Sequence, residues 1–247
     1  SPVVLTPEQK PFIPGSSFKG ALRSTVEKIV PGLPDLWTCA LIELDDKELE
    51  TRQRDKKRIC STLRQGEFAA KRRAEPGRAG EFLQQALDGL CDTCRLFGSP
   101  FAAAHLNVND LYMPKDVWNG IIQTRDGVAI DRDSEKAKDR LKYDFEVVPA
   151  SATFDLEIVL ENASPKDLQL ICVGLSEFVH GFGVLGGKRS RGLGVCSLEG
   201  LKVSALELDG DDEAIRRQRL RDYLVHKRFS SEDGVDFLAK HIDKIFD

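Results

Sequence analysis

Alternation of apolar and polar residues predicts a half-buried strand over residues 151–160. Every second side chain in this stretch is apolar and would share one face of the strand: Ala152, Phe154, Leu156, Ile158 and Leu160. Residues 104–113 and 193–206 predict two further strands, and residues 11–14 predict the end of another. The pattern therefore predicts a sheet with one buried face.

Other segments have the spacing and boundaries of helices. Ser164 and Pro165 begin a helical run over 165–180, because serine caps a helix and proline suits its first position. A run over 17–30 ends at the Pro-Gly pair that follows it. The remaining predicted helices cover residues 43–58, 79–89, 210–228 and 231–246.

Counted from Ile13, the predicted order is strand end, helix, strand, strand, helix, strand. This is the ferredoxin-like or RRM-like order with most of the first strand missing, and it predicts an α+β fold. Residues 35–100 are charged and weakly periodic, so we expect an insertion there, and turn residues and charges over 119–150 suit a long hairpin. The predicted domain covers 1–206, followed by a charged helical tail or linker over 207–247.

The overall charge limits how this chain could bind a nucleic acid. Its 36 basic and 40 acidic residues give a net charge of −4, so any such contact would be local. Basic clusters occur at 52–58, 71–73 and 188–191, and the first two equally suit solvated faces of the insertion. No apolar run approaches the roughly 20 residues that span a bilayer. We expect a cytoplasmic protein without membrane contact.

A turn followed by a basic helix start lies at residues 13–23. Ser16 or Ser17 could cap this helix, and Lys19 and Arg23, four residues apart, would share one face near its positive end. Free N–H groups, hydroxyls and two cations together suit a phosphate. The alternative is an ordinary capped helix with two solvated cations.

A second basic segment, residues 181–195, is rich in glycine. Its cations are Lys188, Arg189 and Arg191. The Gly-x-Gly-x-x-Gly pattern that begins at Gly181 follows a helix and precedes a strand, which is the reverse of a dinucleotide fold. We therefore reject a dinucleotide site. A phosphate-binding turn and a plain glycine turn with solvated cations remain open.

Four segments occur in a fixed order along residues 1–203. They are 13–20 followed by Arg23, 94–99, 128–132 with a later 146–149, and the glycine-rich segment 181–195. In this order they resemble the RAMP superfamily, in particular the backbone subunits of type III CRISPR effector complexes. Each motif is weak by itself, and the four together are specific.

The resemblance implies an RRM-like core with insertions that binds guide RNA. The residues that would contact RNA are Ser16, Ser17, Lys19, Arg23, Arg132, Lys188, Arg189 and Arg191. The 119–150 hairpin is similar to the family's thumb, which wedges into the guide–target duplex. Expected partners are guide RNA, target RNA, other copies or fused repeats of the same fold, and further effector subunits.

The resemblance also implies metal-dependent cleavage of target RNA in Mg²⁺ or Mn²⁺. In the family an aspartate directly before a triplet like residues 1–3 cuts the target, so the chain as given would bind RNA without cleaving it. A non-catalytic repeat of the same assembly is the alternative. A guide-processing endonuclease would need a histidine near the start, and none precedes His105. Asp131 and Asp133 suit ordinary surface charge.

The six cysteines divide into two kinds of site. Cys172 and Cys196 stand among apolar neighbours and suit the core. Cys91 and Cys94 form a Cys-x-x-Cys pair on a turn, which is half of a tetrahedral zinc site. The other ligands would be Cys60, then Cys39 or His105. Reduced thiols and a disulfide are the alternatives, and some members of the resembling family hold zinc here.

Overall fold

The structure, a computed structural model, describes residues 2–39, 62–115, 118, 120–130, 132–133, 137–206, 208 and 212–247. Helices and strands both build it, so the predicted α+β class is confirmed. Two compact units are present. The first contains Ser1–Gly20 and Leu106–Leu160, and the second contains Ala21–His105 and Glu161–Asp247. The predicted division of the chain after residue 206 stays a prediction.

The described residues form seven α-helices. They are α1 (Gly15–Ile29), α2 (Thr62–Ala74), α3 (Ala79–Asp88), α4 (Asp92–Phe97), α5 (Pro165–Val179), α6 (Glu213–His226) and α7 (Gly234–Asp243). The helix expected at 43–58 lies outside the described residues. Within the part of the chain that the structure describes, no helix is long and apolar enough to cross a bilayer.

Ten strands, from two to eleven residues long, pair two by two in the described segments. They are β1 (Phe12–Ile13), β2 (Leu106–Val108), β3 (Leu111–Tyr112), β4 (Gln123–Ile130), β5 (Ala137–Val147), β6 (Ile158–Leu160), β7 (Gly183–Val184), β8 (Val195–Cys196), β9 (Lys202–Ala205) and β10 (Ser230–Asp233). All pairs are antiparallel: β1 with β3, β2 with β6, β4 with β5, β7 with β8, and β9 with β10.

Three strand predictions need correction. The regular ladder of the predicted 151–160 strand covers only Ile158–Leu160, opposite β2. Before it, single backbone hydrogen bonds from Asp155 to Tyr112 (2.8 Å) and from Asn109 to Glu157 (3.2 Å) continue the contact without a regular ladder. The predicted strand at 104–113 divides into β2 and β3 around residues 109–110, where Asp110 turns toward the start of α1. The predicted strand at 193–206 divides into β8 and β9, and Gly200, at a φ of 63°, lies in the break.

The first unit includes a long hairpin within the predicted range 119–150. β4 and β5 run antiparallel from Gln123↔Val147 to Ile130↔Ala137, with an irregularity after Val128. Gly127 lies opposite Tyr143, and a Cβ on Gly127 would come within 2.4 Å of the tyrosine ring. The tyrosine ring therefore lies directly over the glycine, and a larger residue at 127 would displace it.

The second unit is built around α5. Ser164 and Asp167 form the reciprocal capping box that starts this helix, in agreement with the predicted start. Gly174 lets α1 pack closely, because a Cβ there would lie 2.7 Å from Val26 and 2.8 Å from Leu22. The middle of α5 is buried on all sides, since consecutive residues from 170 to 175 are buried: Leu170, Ile171, Cys172, Val173, Gly174 and Leu175.

Candidate functional site

Helix α1 begins two residues earlier than its sequence predicted. The carbonyl of Pro14 accepts hydrogen bonds from the N–H groups of Ser17 (2.8 Å) and Phe18 (3.2 Å), so Pro14 occupies the cap position. The prediction that Ser16 or Ser17 caps the helix is therefore wrong. Both serines lie in the first turn and are exposed.

A carboxylate from another segment of the first unit already binds the start of α1. The N–H of Gly15 donates to Oδ1 of Asp110 at 2.8 Å. A Cβ on Gly15 would lie 2.2 Å from the carbonyl oxygen of Val108, so only glycine allows this close approach. Sequence reasoning missed Asp110 because no local pattern links it to a helix 95 residues away. The carboxylate occupies one of the N–H groups that the sequence assigned to a phosphate.

Lys19 lies in the first unit, and its side chain is half-buried. Its Nζ donates to the carbonyl oxygen of Leu106 at 2.8 Å. The ammonium group is therefore held against the backbone at the start of β2, and one of its three donors is already used.

Arg23, in the second unit, is the centre of a polar network. Its Nε donates to Oε1 of Glu27 at 2.7 Å, and its Nη1 to the carbonyl oxygen of Gly98 at 3.3 Å. Its Nη2 donates to Sγ of Cys94 at 3.3 Å. Burial alone would lower the pKa of the guanidinium, but hydrogen bonds and charges from Glu27 and Cys94 outweigh it and raise the pKa. Arg23 thus stays charged beside a cysteine sulfur.

The glycine-rich segment forms a small hairpin whose connecting turn carries the cations. β7 and β8 pair through Gly183↔Cys196 and Val184↔Val195, and residues 189–191 form a 3₁₀ turn between them. All three cations of this turn have exposed side chains: Lys188, Arg189 and Arg191. This basic turn presents positive charge to solvent.

Glycine is required at one position of this hairpin. Gly194 has a φ of 83°, and a Cβ on it would lie 1.8 Å from the carbonyl oxygen of Leu185. The N–H of Leu185 donates to the carbonyl of Gly194 at 2.8 Å, which closes the hairpin below the turn. The glycine therefore fixes the position of the basic turn.

The remaining predicted RNA contact, Arg132, is exposed between β4 and β5 in the first unit. Asp133 beside it is also exposed, and Asp131 lies outside the described residues. The predicted RNA-contacting residues divide between the units. Ser16, Ser17, Lys19 and Arg132 belong to the first, and Arg23, Lys188, Arg189 and Arg191 to the second.

Three of the four predicted zinc ligands come together in the second unit. The Sγ atoms of Cys39, Cys91 and Cys94 all lie within 4.8 Å of one another, and all three residues are buried. Sγ of Cys39 is 3.7 Å from Sγ of Cys94, much longer than the roughly 2.05 Å of a disulfide. This cluster could hold a metal ion.

Hydrogen bonds hold the two cysteine segments together. The N–H of Asp92 donates to the carbonyl of Trp37 at 3.1 Å, and the N–H of Trp37 donates back to the Asp92 carboxylate at 2.8 Å. The hydroxyl of Thr93 donates to that of Thr38 at 2.8 Å. Cys91 caps α4, since the N–H of Cys94 donates to its sulfur at 3.4 Å.

The other candidate ligands are placed differently. Cys60 lies outside the described residues. Nδ1 of His105 is 2.9 Å from a carboxylate oxygen of Asp167, so the helix cap of α5 engages this ring. Cys172 is fully buried, and burial raises the pKa of its thiol to about 12. Burial also raises the pKa of the Cys196 thiol.

The sequence was compared with families of known proteins. The family model described as RAMP superfamily matches residues 1–197 of the 247. A search of curated proteins gave no match. The matched region includes the start of α1, the cysteine cluster, the β4–β5 hairpin and the basic turn of the β7–β8 hairpin. The chain belongs to the RAMP superfamily.

Proposed function

We propose that this chain is a guide-RNA-binding backbone unit of a type III CRISPR effector complex. The exposed basic turn between β7 and β8 is the observation that carries the proposal. Its three cations lie on one short turn, which suits contact with successive phosphates of a single strand. The superfamily as a whole provides RNA-binding proteins that act in CRISPR complexes.

A second contact in this proposal lies at the start of α1. The exposed hydroxyls of Ser16 and Ser17 can donate to phosphate oxygens, and Lys19 adds positive charge. Asp110 already accepts the N–H of Gly15 at the start of α1. The serine hydroxyls would therefore contribute more to phosphate binding here than the backbone N–H groups of the helix start. Arg132 on the β4–β5 hairpin would contact the guide–target duplex. Arg23 stays a predicted contact, although its guanidinium is held by Glu27.

Reversal of two charges on the basic turn tests the proposal. Lys188→Glu combined with Arg189→Glu should weaken binding of a labelled single-stranded RNA by roughly tenfold or more, since phosphate contacts dominate such affinity. The loss should be similar for RNAs of unrelated sequence, because backbone contacts carry no sequence information.

Arg78→Glu is the matched control. Arg78 also lies in an exposed 3₁₀ turn of the second unit, and its side chain binds Glu75 and Glu81 at 3.1 Å. Reversal there should leave RNA affinity nearly unchanged. Equal affinities of the wild type and the double variant would refute the proposal.

We also propose that the cysteine cluster binds a structural zinc ion. In a tetrahedral site with Zn–S bonds of about 2.3 Å, neighbouring sulfurs lie about 3.8 Å apart. The 3.7 Å between the sulfurs of Cys39 and Cys94 fits this edge. Arg23 would offset the negative charge of the thiolates, as outer-shell donors do. Cys60 is the proposed fourth ligand.

Metal analysis tests the zinc site. The purified protein should contain about one zinc per chain, and Cys91→Ser with Cys94→Ser should remove it. Protease resistance of the 35–100 segment should fall with it, because a structural zinc stabilises its surroundings directly. Cys196→Ser, a half-buried cysteine outside the cluster, should keep the zinc. Zinc-free wild type with the same resistance would contradict the site.

The proposed assembly follows from the resemblance. Neighbouring copies or fused repeats would stack along the guide, and α6, which has no buried residue, would serve as a linker or pack on a neighbour. Cleavage of target RNA in Mg²⁺ or Mn²⁺ stays a prediction. The alternative role is a non-catalytic repeat of the same assembly.

A further inference from the structure

The two faces of the β7–β8 hairpin have opposite character. Side chains alternate along a strand, and Gly183↔Cys196 and Val184↔Val195 are the paired positions. Gly183 and Cys196 therefore share one face, while Val184 and Val195 share the other. Phe182 directly precedes β7 and alternates onto the same side as Val184.

The face with Gly183 packs inward on α5. A Cβ on Gly183 would lie 2.2 Å from the ring of Phe178, so the backbone touches that ring. The thiol of Cys196 points to the carbonyl of Gly183 at 3.6 Å, and the N–H of Leu198 donates to the carbonyl of Phe178 at 2.9 Å. These contacts fix the hairpin to the second unit and turn its other face to solvent.

The outward face is apolar. Phe182 is 70% exposed, and Val195 is 66% exposed. Val184, which is paired with Val195, is half-buried on the same face. The backbone around Phe182 is nonetheless ordered, since its N–H donates to the carbonyl of Glu177 at 2.8 Å. The hairpin that carries the basic turn therefore also presents an exposed aromatic ring, attached to a hydrogen-bonded backbone.

We propose that this outward face is a nucleobase platform on which Phe182 stacks against a base of the bound single strand. The inference rests on the proposed RNA-binding function and adds a base contact to it. Single-strand sites combine cations that follow the backbone with aromatic rings that stack on bases, and this hairpin has both. The neighbouring positive charge of Lys188, Arg189 and Arg191 favours a nucleic acid, rather than an apolar protein surface, as the partner of this face.

The length of the hairpin separates the two kinds of contact. Phe182 lies six residues before Lys188, the first cation of the turn, and β7 stands between them. Phosphate contacts at the turn and the base contact at Phe182 therefore involve different nucleotides of one strand. The geometry requires an unpaired base, because a ring can stack fully only on a base that is not enclosed in a duplex.

An RNA–protein double-mutant cycle tests the platform. The probes are a labelled single-stranded RNA of mixed sequence and the same RNA with abasic nucleotides. Phe182→Ala should weaken binding of the normal RNA by about tenfold, the size of one stacking contact. It should have much less effect on the abasic RNA, because the contact is already missing there. Phe182→Trp should retain affinity.

Phe246→Ala is the matched control, since Phe246 is 66% exposed and lies outside the hairpin. It should bind both RNAs like the wild type. Because Phe182 is exposed, its variants should unfold at the wild-type temperature. If Phe182→Ala lost the same affinity for normal and abasic RNA, the platform would be overturned. The same would hold if Phe246→Ala weakened binding of the normal RNA as much as Phe182→Ala does.

Two further outcomes separate this inference from the function on which it rests. If Phe182→Ala binds like the wild type while the double charge reversal at Lys188 and Arg189 weakens binding, the platform is refuted and the function stands. If neither variant weakens binding, both are refuted. A change of oligomeric state in Phe182→Ala with unchanged RNA affinity would assign this face to a protein partner and overturn the platform.

Discussion

Single residues connect the candidate metal site to the rest of the second unit, and Arg23 is the clearest case. Its side chain is 17% exposed and bridges Glu27, Gly98 and Cys94. A guanidinium suits this position because its planar donors reach three acceptors at once. Arg23, which was predicted to contact RNA, is therefore hydrogen-bonded to the cysteine cluster.

Arg23→Gln should destabilise the protein by about 1–3 kcal/mol, because the Glu27 carboxylate and the Cys94 sulfur lose a charged donor. Zinc should also be released more easily to a chelator. Urea unfolding and a chelator titration measure the two effects. The exposed Arg78 gives the control: Arg78→Gln should change neither. Wild-type values for Arg23→Gln in both experiments would contradict the assigned role.

Cys172 should give the protein an alkaline instability. Its pKa is about 12 in the folded protein and close to 9.0 when unfolded, because burial disfavours the thiolate. Above pH 9.0 the unfolded chain loses this proton and the folded protein keeps it, so stability is full below pH 9.0 and falls as the pH rises toward 12.

The slope for this one group is about 1.4 kcal/mol per pH unit. Unfolding free energies of the wild type and Cys172→Ala, measured from pH 8 to 11, should therefore converge as the pH rises. Parallel curves would show that Cys172 does not titrate as its burial implies.

At the scale of elements, the β7–β8 hairpin depends on one glycine. Gly194→Ala should destabilise the hairpin by about 1–3 kcal/mol, since it combines a positive φ with a Cβ 1.8 Å from the Leu185 carbonyl oxygen. RNA affinity should fall with it, because the basic turn loses its fixed position. Gly187→Ala, with no atom within 4 Å of its Cβ, should change neither. Thermal unfolding measures the stability and RNA titration the affinity. If Gly194→Ala behaved like Gly187→Ala in both experiments, the role of this glycine would be contradicted.

Local patterns predicted some elements well and others poorly, for physical reasons. The start of α5 was predictable because its capping box lies within four residues of sequence. The 151–160 alternation predicted a long strand, but its partner segment is interrupted at residues 109–110, so the regular ladder covers only three residues. The Cys-x-x-Cys spacing indicated two of the three cysteines of the candidate metal site. That Cys39 lies beside it follows from the Trp37–Asp92 hydrogen bonds, which no local pattern reveals.

Over the whole molecule, a net charge of −4 constrains RNA binding. Most of the surface does not attract a polyanion, so affinity must come from a few local contacts. The basic turn in the second unit and the start of α1 in the first are the proposed contacts. That Ser16, Ser17 and Lys19 bind the same RNA as the basic turn stays a prediction from the sequence.

The salt dependence of RNA binding tests the central claim most directly. Affinity of a single-stranded RNA, measured from 50 to 300 mM salt, should fall linearly on a double-logarithmic plot. Each phosphate contact contributes about 0.7 to the slope, so loss of the two contacts at Lys188 and Arg189 should lower its magnitude by roughly 1.4. A wild-type slope near zero, or the same slope in the Lys188→Glu, Arg189→Glu variant, would contradict the assignment of the basic turn to the RNA backbone.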